Sequence, residues 1–395
     1  MIYEISNGVF TAKVDSLGAQ LVSLKGTDGF ELLWVGDPGY WREHAPVLFP
    51  IVGALRDGRT RIDGRWYEMS RHGFAKNMEF ALEEQGEGYL SLALSASDET
   101  RKEYPFDFEF AVTYELSSEG ITTRFTVRNT GSLPLPYSVG GHPGFNLPMG
   151  EDARFEDYTI QFPEQERQEC PAIDLETGLI HGDKKAFRLD GKEIPLQHSL
   201  FYQDALVFEG LKSNSVRVVN KKSGRGVEMD FTGFPMLGIW SAVNDGPYVC
   251  LEPWTGCATL TTEGDEFVEK KGMAQLAPGR EAEHSFTVRF LGMDKNVSWK
   301  QLQKDVYRNK LDHGFNVTDV NLEFCYLYGE LSEAHAAWRT KDEGLGQELA
   351  DVAIYLLGLS EILGYDLDAE VRKKMEINKK RRYTSVDGVM RRVEE

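Results

Sequence analysis

Phe108-Glu109-Phe110-Ala111-Val112-Thr113-Tyr114-Glu115-Leu116 carries its bulky apolar side chains at every second position. A strand turns successive side chains to opposite faces, so this spacing predicts a strand with one buried face. Ser117-Ser118-Glu119-Gly120 reads as a turn, and Ile121, Thr123, Phe125 and Val127 alternate back to complete a hairpin. The same period of two recurs on either side. Arg61-Ile62 and Arg65-Trp66 flank the turn pair Asp63-Gly64, and Val216 to Val219 joins Val227 to Phe231 through Lys-Lys-Ser-Gly-Arg-Gly. No long amphipathic helix interrupts these strands before the last of them, His284 to Leu291, so residues 1–293 are predicted to be all-β.

Beyond Gly292 the apolar spacing becomes helical. Ser298 is placed to cap a first helix that runs to Asp312 and stops at Gly314. A second, opened by Thr318 or Asp319, puts Leu327, Leu331, Ala334 and Trp338 on one face. A third spans Leu345 to Gly364, where glycine is a natural stop, and Asp366 or Asp368 opens a fourth whose end is rich in Lys and Arg. The chain is therefore predicted to be multi-domain, with an all-β domain over 1–293, an all-α bundle over 298–385 and a loose tail over 386–395. No fixed-period repeat is present.

The 395 residues, 41% hydrophobic and 27% charged, suit a soluble chain with cores of ordinary size. A formal charge of -19 argues against general binding to nucleic acid or anionic membrane, because the phosphate term of such binding needs a basic surface. From Ser298 onward there are fifteen basic and eighteen acidic residues, so the negative excess belongs chiefly to the β region. Cys170, Cys250, Cys257 and Cys325 form no CxxC pair and no zinc spacing, which suits reduced thiols. The opening residues have neither a basic flank nor an apolar run, so no leader or anchor is expected and the predicted location is cytoplasmic.

Three stretches of the β region look chemical. Pro136-Tyr137-Ser138-Val139-Gly140-Gly141-His142-Pro143-Gly144-Phe145-Asn146 sets one imidazole among glycines and prolines and is read as a site loop. Ser70-Arg71-His72-Gly73-Phe74-Ala75-Lys76 and Cys250-Leu251-Glu252-Pro253-Trp254-Thr255-Gly256 likewise put ionisable groups beside Gly, Pro or an aromatic ring. His-Gly-Phe-Ala, Gly-His-Pro-Gly-Phe and Leu-Glu-Pro-Trp, in this order, resemble the aldose 1-epimerases, or galactose mutarotases, over residues 1–292. The resemblance implies a β-supersandwich with an open sugar-binding face, Glu252 as base, His142 as acid and His72 as a second site imidazole. It also implies Asp204 as a ligand of sugar hydroxyls. Where relatives carry an arginine, this chain has Ala54, which makes Arg56 or Arg71 the candidate replacement, and Lys76 stands where a further arginine is common.

The implied chemistry agrees with the residue types. Interconverting anomers requires a base for the C1 hydroxyl proton and an acid for the ring oxygen, with no metal or cofactor in this domain. A glutamate beside Trp254 is moved towards neutrality by burial, and histidine, with an ordinary pKa of about 6.5, carries a proton readily. The faces of Trp254 and Trp41 offer stacking surfaces for a sugar.

In the helical region, Glu330 and Glu333 on one helix and Glu348 and Asp351 on the next stand at i and i+3 among apolar residues. Four facing carboxylates call for a hard divalent cation, Mg²⁺ or Mn²⁺. Residues 299–383 resemble the MazG-like nucleotide pyrophosphohydrolases, an all-α group. That resemblance implies hydrolysis of a nucleoside triphosphate to monophosphate and pyrophosphate, Lys374, Asn378 and Arg381 as nucleotide ligands on one helix face, and a homodimer. The sequence thus predicts a bifunctional enzyme acting on a small aldose and on a nucleotide. The alternative is a non-catalytic carbohydrate-binding domain coupled to a dimeric helical module.

Overall fold

The computed structural model describes residues 1–27, 29–149, 153–292, 299–381, 383–386 and 389–392. The chain divides into two compact units, Met1–Lys295 and Asn296–Glu395. Ser298, the expected cap of the first helix, lies outside the described residues.

The first unit is built on two antiparallel sheets. The larger has nine strands, in the spatial order Ile180–Pro195, Tyr158–Ile173, Ser215–Asn220, Gly226–Asp230, Glu281–Leu291, Gly120–Asn129, Phe108–Leu116, Tyr89–Ser95 and Ala81–Gly86. The hairpins read from the alternation are present, with Ile121 opposite Leu116 and Val219 opposite Gly226. The second sheet runs Leu206–Glu209, Met236–Trp240, Tyr248–Trp254, Gly140–Gly141 and Val47–Leu48, with Gly144–Asn146 also paired to Tyr248–Trp254.

One apolar cluster joins the inner faces of the sheets. Phe108, Phe110, Val112 and Tyr114 from the larger sheet share it with Phe208, Leu237, Ile239, Val249 and Leu251 from the smaller, all buried. Phe49 stacks on Phe110 with ring centroids 4.3 Å apart. The Tyr114 hydroxyl donates to the Ala19 carbonyl at 2.8 Å, so this large side chain is buried without an orphaned polar end. Strand alternation thus holds one face of each sheet in the core and releases the other, and the released face of the smaller sheet carries the chemistry.

The second unit contains α1 (Trp299–Asp312), α2 (Val320–Thr340), α3 (Leu345–Ile362) and α4 (Leu367–Lys380). Asp319 caps α2 by accepting from the Leu322 amide, and Asp366 caps α4 by accepting from the Ala369 amide, each at 3.1 Å. Gly364 follows α3 at φ 74°, a left-handed value that glycine adopts without a Cβ clash. The buried Gln303 of α1 ties the α3–α4 connection, donating to the Tyr365 carbonyl and accepting from the Leu367 amide, both at 2.8 Å.

Two expectations change here. Of the stripe Leu327, Leu331, Ala334 and Trp338, only Ala334 is buried, and Leu331 and Trp338 are more than half exposed. Spacing aligns side chains along a helix but does not supply the surface that covers them. The end of the expected all-α bundle and the start of the expected loose tail form a hairpin instead, Tyr383–Val386 pairing with Val389–Arg392. Its β-branched residues and the Asp-Gly dipeptide in the sequence between the strands favour that pairing.

Candidate active site

The site is organised on Tyr248–Trp254. Alternation sends Val249 and Leu251 into the main core and turns Tyr248, Cys250, Glu252 and Trp254 the other way. Gly140 pairs opposite Trp254, and Gly144 pairs opposite Cys250. A register held on both sides brings residue 142 opposite residue 252, and His142 Nε2 lies 3.1 Å from Glu252 Oε2. The predicted site loop is therefore two short strands with the histidine between them. Its paired glycines serve close approach rather than turn freedom: a Cβ at Gly140 would come within 2.7 Å of the Trp254 ring, and one at Gly141 within 2.8 Å of Phe286.

His72 enters from the opposite wall in a left-handed conformation, φ 70°, uncommon for a residue with a side chain. Its amide donates to the Gly53 carbonyl at 2.9 Å, and the Gly53 amide donates to His72 Nδ1 at 3.1 Å. With Nδ1 an acceptor, a neutral His72 carries its proton on Nε2 and is a hydrogen-bond donor. Asp204 is also left-handed, φ 73°, and its Oδ2 lies 3.6 Å from Arg71 Nη2.

These residues line one cavity of about 300 Å³, shared by Arg71, His72, His142, Asp204, Glu252 and Trp254. Its wall also holds Trp41, Trp240 and a Lys76–Glu43 ion pair at 2.8 Å. Trp41 lies along the His142 ring, centroids 4.7 Å apart, and Trp240 meets that ring edge-on at 5.6 Å. Trp240 and Glu43 carry no local sequence signal that singles them out. Arg56, expected as a sugar ligand, is held elsewhere: it bonds Asp265 at 3.1 Å and the Glu263 carbonyl at 2.6 Å and does not line the cavity. Arg71 instead occupies the space near Ala54, since a Cβ on Gly178 would lie 3.4 Å from Ala54 and 3.6 Å from the Arg71 guanidinium.

The family model for aldose 1-epimerase matches residues 1–288. The chain belongs to the aldose 1-epimerase family. The protein LacX of Lactococcus lactis subsp. lactis, plasmid-borne, is 37% identical over 301 residues, covering 74% of this chain and all of the relative. A galactose mutarotase related enzyme from Lactobacillus acidophilus superposes with a TM-score of 0.69 at 33% identity, over 73% of this chain and 97% of that one. A galactose mutarotase-like protein from Lactobacillus casei gives the same TM-score at 27% identity, over 73% of this chain and all of its own. The first unit is thus a β-sandwich like that of galactose mutarotase.

Within this epimerase unit, burial dominates the electrostatics. It pushes the His142 imidazole down to about 3, aided by the positive charges of Arg71 and Lys76. It also pushes the His72 imidazole well below its ordinary value, with His142 and Arg71 adding to the effect. The Glu252 carboxyl moves well up, first through burial and then through the Asp204 charge. The neutral tautomer of the pair, imidazole beside carboxylic acid, is therefore favoured.

In the helical unit, carboxylate oxygens of Glu330, Glu348 and Asp351 all lie within 4.8 Å of one another. Glu333 is exposed and outside that group, although its charge helps raise the Glu330 carboxyl after burial, as do those of Asp351 and Glu348. Lys374 and Asn378 are exposed on α4, and Arg381 caps its C-terminal end at φ -73°, ψ 136°, its amide donating to the Asn378 carbonyl. No helix among the described residues is long and apolar enough to cross a membrane.

A carboxyl raised in the fold contributes stability that is fully present below its ordinary value of 4.5 and is lost as pH rises from there through its raised value in the fold. Glu252→Gln is accordingly expected to unfold at higher denaturant than the wild type, by about 1–2 kcal/mol near pH 8 and by less near pH 4. Paired urea titrations at the two pH values check this, and a stability gap independent of pH would contradict the burial of an ionisable Glu252.

Proposed function

We propose that the epimerase unit interconverts the α and β anomers of an aldohexose through Glu252 and His142. The observation carrying this reading is the buried pair itself, 3.1 Å apart on the floor of a cavity walled by tryptophan and polar side chains. A hemiacetal placed between the two couples them through its own hydroxyl and ring oxygen. As the sugar binds, the proton of the pair passes from Glu252 to His142; Glu252, now a carboxylate, accepts the C1 hydroxyl proton, the C1–ring-oxygen bond breaks with its electron pair moving to the ring oxygen, and His142 protonates that oxygen. The free aldehyde turns about its C1–C2 bond and closes by the reverse transfers. Because the pair holds one proton in either tautomer, it ends each turnover as it began. His72 donates from Nε2 to a sugar oxygen, while Asp204 and Arg71 hold hydroxyls at the rim.

The helical unit is read as a metal-dependent nucleoside triphosphate pyrophosphohydrolase. Three hard oxygen donors gathered on facing helices, with like-charge repulsion raising Glu330, suit Mg²⁺ or Mn²⁺. Glu330, Glu348 and Asp351 would hold the cation, with Glu333 beside them; when bound, it neutralises phosphate charge and supports attack of water. Association with a second copy is supported by the exposed apolar side chains Tyr328, Leu331, Trp338 and Leu349, which border one open cleft. Buried apolar residues of this unit, among those described, are only Ala334, Ala337, Leu357 and Leu359, a small core for four helices.

Polarimetry of aldoses, free and 6-phosphorylated, should show catalysed anomer equilibration that falls by about 10²-fold or more in Glu252→Gln. Its kcat/KM should fall as pH rises through the raised Glu252 carboxyl, because the pair then loses the one proton it moves; sugar binding without acceleration would make the unit a binding domain. Pyrophosphate release from nucleoside triphosphates should require Mg²⁺ or Mn²⁺ and vanish in Glu330→Ala, and release that survives both chelation and this substitution would remove the hydrolase reading. Light scattering should return twice the chain mass; a monomer at micromolar concentration would contradict the dimer.

A further inference from the structure

Cys250 precedes Glu252 by two residues on the same strand, so both side chains project from one face. A ring nitrogen of His142, the Cys250 sulfur and a carboxylate oxygen of Glu252 all lie within 4.8 Å of one another. All three residues are buried, with exposures of 8%, 0% and 1%. His142 Nδ1 and Glu252 Oε2 are buried polar atoms without a well-aligned hydrogen-bond partner. The anomer chemistry uses the histidine and the glutamate and leaves the thiol without a role.

Nitrogen, sulfur and oxygen donors in one buried group make a borderline-soft set, unlike the all-oxygen group in the helical unit. Ligands of a tetrahedral Zn²⁺ stand about 3.3–3.8 Å apart, given bonds of about 2.0–2.3 Å, so side-chain adjustments of roughly 1 Å would suffice. The fourth position would be open to the cavity that receives the sugar.

We propose that His142, Cys250 and Glu252 form an inhibitory site for a thiophilic divalent cation, Zn²⁺ foremost. Binding releases the thiol proton and the proton held by the His142–Glu252 pair, and the metal then occupies both the lone pair and the carboxylate that move protons on the sugar. Zinc and sugar therefore exclude each other, and thiol-containing chelators restore the enzyme. The inhibition rests on the mutarotase reading; the metal site itself does not.

The test uses the full chain with Cys325→Ser, which removes the exposed thiol, and excess Mg²⁺ to fill the carboxylates of the helical unit. Co²⁺ is titrated as a probe and the near-ultraviolet thiolate-to-cobalt band is recorded; Zn²⁺ is then titrated against the polarimetric rate. The expected results are a cobalt–thiolate band abolished by Cys250→Ser or Cys250→Ala, and a zinc concentration for half-inhibition raised about 10-fold or more in both variants. Their rates without zinc should match the parent. Absence of the band in the parent chain, or its persistence in the variants, overturns the site. Unchanged zinc sensitivity in the variants overturns the inhibition. If no sugar is equilibrated at all, the mutarotase reading fails while the band still decides the metal site, and the band in the parent chain does so even where a Cys250 variant does not fold.

Discussion

The site depends on one strand register. With Gly140 opposite Trp254 and Gly144 opposite Cys250, the backbone has no freedom to place His142 anywhere but across from Glu252. The pairing demands glycines, because Trp254 and Phe286 lie where side chains at 140 and 141 would stand. A slip of one residue would turn Glu252 into the apolar core and bring Leu251 or Pro253 to the cavity. The hydrophobic face that holds the sandwich together is therefore also what aligns the acid with the base.

Burial then sets the chemistry. Trp41 and Trp240 surround His142, and the same exclusion of water that depresses the imidazole raises the carboxyl. Both shifts favour the uncharged tautomer of a pair that holds a single proton. Such a pair suits a reaction in which a proton is taken from one oxygen and given to another with no net change. The left-handed backbones of His72 and Asp204 show a further local strain at the cavity, held in place by Gly53 and by the Asp204 bond to the Ala205 amide at 2.7 Å.

The two units differ in how they manage buried charge. The β unit places its ionisable groups on the floor of a cavity in an extensive apolar framework. In the helical unit, the Lys310–Glu323 ion pair at 2.7 Å is buried, and Asn316 donates to the second Glu323 oxygen at 3.0 Å. Satisfied in this way, the pair links α1 to α2 where apolar burial is sparse. The acidic group on α2 and α3 has no such compensation within the described residues, which is why a cation is the natural complement.

Much of this was legible in the chain. Alternation over Phe108–Leu116 and its neighbours determined the all-β character, the change of period after Gly292 determined the helical region, and Asp319, Asp366 and Gly364 marked helix ends, because these signals are local. The three motifs also named His72, His142 and Glu252. Tertiary structure decided the rest. Only it shows that Arg56 is held by Asp265 and the Glu263 carbonyl while Arg71 reaches the cavity, that Trp240 and Glu43 complete the wall, and that Cys250 sits beside the acid–base pair. It likewise shows Glu333 apart from the other three carboxylates. The physical reason is that periodicity reports which face a side chain takes, whereas its partner across the fold is set by register and packing between segments far apart in sequence.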